Sequence, residues 1–143
     1  MDDDPYELSR FTTAQDAGQA YQQATAELRR GRKTGHWMWF VFPQIAGLGH
    51  SPMSQRYAIS SLDEARAYLA HPVLGPRLAD CAAIVAGLRE DRTAEQVFGP
   101  VDALKLRSSM TLFQRADPAQ PVFGQVLSRF FEGITDPATG QRL

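Results

Sequence analysis

Helix punctuation constrains this chain more than any other feature. Asp4-Pro5, Ser51-Pro52 and Asp136-Pro137 each set a capping side chain before proline, the residue best tolerated in a first helical turn. Ser61-Leu62-Asp63-Glu64 and Thr93-Ala94-Glu95-Gln96 read as capping boxes, and Pro121 opens another apolar stretch. Between these starts the apolar residues recur with helical period. Asp4-Pro5 predicts a helix through about Ala14 with Leu8 and Phe11 inward. Ala17, Tyr21, Ala24 and Leu28 form one stripe, ending in Arg29-Arg30-Gly31 with cations in the last turn and glycine just beyond. Leu62, Ala65 and Leu69 share a face that stops near His71-Pro72. After Gly75-Pro76, Leu78, Cys81, Ala82, Val85 and Leu88 make a broad apolar face. The Thr93 helix closes at Phe98-Gly99-Pro100, residues 101 to 115 form the next, and Pro121 leads into Phe123, Val126, Leu127 and Phe130. Asp136-Pro137 begins a last helix at the very end.

No segment alternates cleanly between hairpin signals, and no repeat or interdomain linker is present. The predicted fold is therefore all-α: a compact single-domain bundle of about seven to nine helices over residues 1–143, with no substantial sheet. A net charge of −1 gives no bulk attraction to nucleic acid or to an anionic membrane. The single cysteine, Cys81, fits a reducing compartment and reads as packing rather than as a nucleophile. Met1-Asp2-Asp3-Asp4-Pro5 lacks the basic and apolar regions of a secretory signal, and the run from Trp37 to Phe42 is too short to span a bilayer. The expectation is a cytoplasmic monomer or modest oligomer.

Three constellations carry chemistry. In the first, Gly35-His36-Trp37-Met38-Trp39-Phe40-Val41-Phe42-Pro43-Gln44 follows a basic run of Arg29, Arg30, Arg32 and Lys33. Cations beside aromatic faces suit anionic, planar ligands, and Gln44 can supply directed amide bonds. The alternative is that Trp37, Phe40 and Phe42 are core, which leaves His36 and Gln44 as the better candidates. In the second, the glycines of Gly47-Leu48-Gly49 allow close backbone approach, and Ser51-Pro52 caps a short helix through Tyr57 that includes Arg56. This segment has neither P-loop nor dinucleotide-fingerprint spacing, and an ordinary glycine turn with a cap explains it equally. The third is a helical line of Asp102, Lys105 and Ser109, with Ser108 beside Lys105 and an apolar line of Leu106, Met110 and Phe113 next to it. Paired serines are poor in helix interiors, so they either pack a close helix or face a polar cavity.

Other chemistries lack their residues. His36, His50 and His71 have no metal-ligand spacing, no second cysteine exists for a thiolate site, and no serine-hydrolase elbow is present. The reading therefore includes no metal and no cofactor.

The motifs Leu8-Ser-Arg10-Phe11-Thr-Thr-Ala14-Gln15, Gly31-Arg-Lys33-Thr-Gly-His36-Trp37-Met38-Trp39-Phe40-Val-Phe42-Pro43-Gln44, Gly47-Leu48-Gly49-His-Ser51, Tyr68-Leu69-Ala-His71-Pro72-Val-Leu74-Gly75-Pro-Arg77-Leu78 and Lys105-Leu106-Arg-Ser108-Ser109-Met110-Thr111-Leu112-Phe113 resemble the bacterial domain-of-unknown-function family eighteen-ten. The resemblance covers essentially the whole chain and implies a compact, mainly helical domain with no assigned activity. The calpastatin label attached to such proteins does not fit, since nothing here resembles a disordered inhibitor. A more distant similarity links the helix with Ala-Gln and the Tyr-Leu-x-His-Pro segment to NADAR N-glycosidases, which act on ADP-ribose adducts.

Together these features point to a pocket for a nucleotide-like or ADP-ribose-like small molecule. Its expected lining is Arg10, Lys33, His36, Trp37, Trp39, Gln44, Gly49, Arg56, Tyr57, Lys105, Ser108 and Ser109. If the protein is an enzyme, cleavage of an N-glycosidic bond is the reaction to test, with Glu64 or Asp102 as catalytic carboxylate. The alternative class is a non-catalytic helical interaction module whose aromatic segment is core or a docking surface, its protein partner unknown. Nucleic-acid binding is the weaker third option, because the basic run is short.

Overall fold

The computed structural model describes residues 4–143. The acidic start at Met1-Asp2-Asp3, part of the reading against a signal segment, lies outside them. The regular structure of the described residues is helical, without a sheet, as the period of the apolar residues requires. The longer helices are α1 (Ser9–Asp16), α2 (Ala20–Arg29), α5 (Leu62–Ala70), α6 (Leu74–Ala86), α8 (Pro100–Ala116) and α9 (Val122–Phe131). Single turns α3 (Met38–Val41), α4 (Pro52–Arg56), α7 (Ala94–Phe98) and α10 (Pro137–Gly140) lie between or after them. Among the described residues six longer helices and four single α-helical turns make up the expected all-α bundle.

Several boundaries move for local reasons. α1 starts at Ser9 rather than straight after Pro5, although Asp4 still caps it: the carboxylate accepts the N–H of Leu8 at 2.6 Å and of Ser9 at 2.9 Å. Ala17 falls in a 3-10 turn with the left-handed Gly18 and is exposed, so the second helix begins at Ala20. Ser61 caps α5 through the N–H of Glu64, but the Glu64 carboxylate reaches past it to the N–H and hydroxyl of Ser60. The Thr93–Gln96 capping box closes as its spacing predicts.

α8 is the axis of the bundle, packing against α5, α7, α9 and α10, while α6 bridges α2, α5 and α9. Its second half is buried nearly all round, with Leu106, Met110, Leu112 and Phe113 inaccessible to solvent. An aromatic chain runs from Phe40 through Tyr57, Phe11 and Tyr68 to Phe113 and Phe123, with ring centroids 5.1–5.9 Å apart. Each such ring contributes roughly 1.5–3 kcal/mol on burial. The buried amide of Gln15 ties this chain to α3, donating to the Phe40 carbonyl at 2.8 Å and to the Tyr68 hydroxyl at 3.3 Å. Cys81 is packed here too, and burial pushes its thiol up to about 12, well away from nucleophile chemistry.

Two backbone bonds position the glycine loop. Ile59 N–H donates to the Gln44 carbonyl and Ala46 N–H to the Ile59 carbonyl, both at 2.8 Å, an isolated parallel bridge that fastens residues 44–46 beside the segment after α4. No helix among the described residues is long and apolar enough to cross a membrane.

Candidate functional site

α3 is a single turn, so its consecutive side chains point in different directions and the aromatic segment divides between core and cavity. Trp37, Met38, Phe40, Val41 and Phe42 are buried, and Trp39 is partly exposed. Trp37 donates its indole N–H to Glu27 at 3.0 Å. The Glu27 carboxylate also accepts the N–H groups of Thr34 (2.7 Å) and Gly35 (2.8 Å) and the amide of Gln23 (2.8 Å). Burial opposes ionisation of Glu27, but the donated bonds from Gly35, Thr34, Gln23 and Trp37 outweigh it and hold the carboxyl at about 2. This knot fastens residues 34–37 to α2.

Trp39 lines a cavity of about 310 Å³ between the glycine loop, α4, α8 and the C-terminal segment. Gln44, Gly49, Tyr57, Lys105 and Ser108 share that lining. Lys105 Nζ lies 4.7 Å from the Trp39 ring centroid and is held by Asp102 at 3.2 Å. Asp102 also pairs at 2.7 Å with Lys33, whose side chain is 6% exposed and whose Nζ sits 5.0 Å from the Trp37 ring centroid. The Trp39 Nε1 atom is buried with no hydrogen-bond partner. Such a donor costs about 1–3 kcal/mol unless something supplies an acceptor.

The glycines permit the close approach that the loop requires. A Cβ on Gly49 would stand 2.6 Å from Ser54 Oγ, and Gly47, at φ +96°, has the Arg142 guanidinium against it.

Six of the residues expected at the site thus meet: Trp39, Gln44, Gly49, Tyr57, Lys105 and Ser108. The others lie elsewhere. Arg10 pairs with Glu64 at 2.8 Å and donates to the carbonyls of Arg56 and Ala58, a strut between α1 and the start of α5 that occupies both charges. Lys33 and Trp37 are in the knot behind the wall. His36 is exposed and outside the lining. Arg56 is also exposed, with its Nε on the Tyr57 hydroxyl at 3.3 Å. Asp102 supports Lys105 from behind, and its carboxylate is not part of the lining. Ser109 is buried in the core with its hydroxyl unpaired, so one of the paired serines faces the cavity and the other faces the packing.

The carboxylate that the cavity does contain is Asp136. Its Oδ2 accepts the hydroxyls of Ser108 (2.8 Å) and Thr139 (2.6 Å), and its N–H donates to Thr111 Oγ1 at 2.9 Å. Burial raises its affinity for a proton, but the Thr139 and Ser108 hydroxyls and the N–H groups of Ala138 and Thr139 prevail, holding it below the usual carboxylate range. Asp136-Pro137 is legible in the sequence only as a helix start. The signal pointing further was Ser108, a mid-helix serine in need of a partner, but that partner lies 28 residues away. Arg107 fixes the same strap, donating to the carbonyls of Ile134 at 2.9 Å and Thr135 at 2.6 Å. Among the described residues no group of three or more His, Cys, Asp or Glu side chains could hold a metal ion.

No curated protein matches the chain. Among solved structures it is similar to the conserved hypothetical protein Rv1873 from Mycobacterium tuberculosis, with 51% identity, 98% of each chain covered and a TM-score of 0.94. The NADAR similarity has no counterpart in these matches. A family model described as "Protein of unknown function (DUF1810)" matches residues 5–143, and this chain belongs to that family.

Proposed function

We propose that the cavity binds a nucleotide-like small molecule. One observation carries this reading: the lining holds an ammonium and a carboxylate that are not paired with each other. Lys105 is engaged by Asp102, and Asp136 by hydroxyls. Charges held apart in this way suit a ligand that brings an anion to one and hydrogen-bond donors to the other. Trp39 and Tyr57 add aromatic surface for a ring, and Gln44 an amide for its edge. At about 310 Å³ the cavity is near the lower limit for small-molecule sites, which favours a mononucleotide-sized ligand over one as long as ADP-ribose.

Calorimetric titration with GMP, NAD and ADP-ribose tests the reading. The native protein should bind at least one of them, and Trp39→Ala and Lys105→Ala should each weaken that binding tenfold or more. Undiminished binding by both variants would remove the site assignment. The proposal extends to hydrolysis of an N-glycosidic bond, in which water bonds to the sugar carbon and its proton leaves with the base. Asp136, as the ionised carboxylate of the lining, is suited to steady positive charge developing at the sugar carbon. Chromatography for free base, with and without Asp136→Asn, tests that step.

The interaction-module reading has an observation of its own. Val101 and Leu104 stand 64% and 63% exposed at the cavity margin. Tryptophan emission that no nucleotide alters would favour it.

A further inference from the structure

The inference here rests on the nucleotide reading and narrows it. We infer that the cavity selects a ribonucleoside monophosphate, with Asp136 accepting from the ribose hydroxyls and disfavouring a second phosphate. Lys105 and Asp136 are the charged side chains of the lining, and the charge of Lys105 is already shared with Asp102. A single ammonium can answer one phosphate. A further phosphate finds no cation in the lining and lies in the field of the Asp136 carboxylate.

Asp136 is also built as a fixed acceptor. Its Oδ2 takes two hydroxyl donors, both from buried residues, and its backbone N–H is tied to Thr111. Both of these side-chain donors fall on Oδ2, which leaves Oδ1 with acceptor capacity beside the supporting N–H groups of Ala138 and Thr139. An ionised carboxylate only accepts, so whatever meets Oδ1 must donate, as sugar hydroxyls do and phosphate oxygens do not. A rigid acceptor and a single ammonium in one lining therefore read both the sugar and the phosphate count. The Arg142 guanidinium lies against Gly47 but outside the lining. Tight diphosphate binding would bring it into the site.

The test is calorimetry on the full chain with AMP and GMP, their 2′-deoxy counterparts, and ADP and GDP. The native protein should bind a ribonucleoside monophosphate about 10- to 100-fold more tightly than its deoxy form, the range expected for one hydrogen bond to a charged group. It should bind the diphosphate at least tenfold more weakly. In Asp136→Asn the ribose preference should fall to within about threefold and the relative affinity for diphosphate should rise. Equal native affinity for ribo and deoxy forms, or tighter binding of diphosphates, overturns the inference while leaving nucleotide binding in place. If none of the six nucleotides binds, both fail together. The native comparison needs no variant, so it decides even if Asp136→Asn does not fold.

Discussion

Trp37 and Trp39 are separated by one residue, each with a lysine over its ring, and the two lysines share Asp102. Their surroundings are nonetheless of different kinds. Around Trp37 the donors meet acceptors: the indole, two backbone N–H groups and a glutamine converge on Glu27, and the residue is 2% exposed. Around Trp39 the indole N–H is unpaired and a cavity opens. The same residue types make a strut where their hydrogen-bonding groups are closed among themselves, and line a candidate site where the packing leaves a cavity.

The largest effect should come from breaking the closed side. Glu27→Ala leaves the donors of Trp37, Thr34 and Gly35 without their acceptor and should destabilise the fold by about 3–5 kcal/mol in denaturant unfolding. A loss below about 1 kcal/mol would show that the knot is not a strut. The pH response sharpens the same point. Glu27 titrates at about 2 in the folded protein against an ordinary 4.5, so its contribution is fully present above the ordinary value. It is lost as pH falls from 4.5 through about 2, and amounts to roughly 3 kcal/mol. Acid titration of stability should therefore be steeper in the native protein than in Glu27→Gln. Parallel curves would mean that the carboxylate is not held ionised by its donors. The smallest and most direct comparison replaces each indole by a ring without an N–H. Trp37→Phe should cost about 2 kcal/mol, and Trp39→Phe no more than about 1 kcal/mol, because the second change also removes an unsatisfied buried donor. The reverse order in thermal unfolding would dissolve the distinction between the two sides.

Much of the fold is legible along the chain because caps and periodicity act over three or four residues. Thr93–Gln96, Ser51–Ser54 and the apolar line Leu106, Met110 and Phe113 all behave as their spacing demands. Local capping departs from its spacing where several acceptors compete. Asp4 caps from further upstream than expected, and Glu64 reaches Ser60 rather than closing on Ser61. Gln44, Lys105 and Ser108 are legible in the sequence as candidate ligand-binding residues, and the cavity brings them together.

The residue types and their helical spacing decided that this chain is all-α, and they marked which polar side chains called for a partner. Only the tertiary structure decided who those partners are. Arg10 with Glu64, Lys33 with Asp102 and Ser108 with Asp136 are joined across 54, 69 and 28 residues respectively. No local rule reaches that far. Helical period sets the face on which a side chain stands, but which faces meet depends on how α8 packs among its neighbours. That packing placed Asp136 in the cavity, put Glu64 in a strut, and separated Trp37 from Trp39.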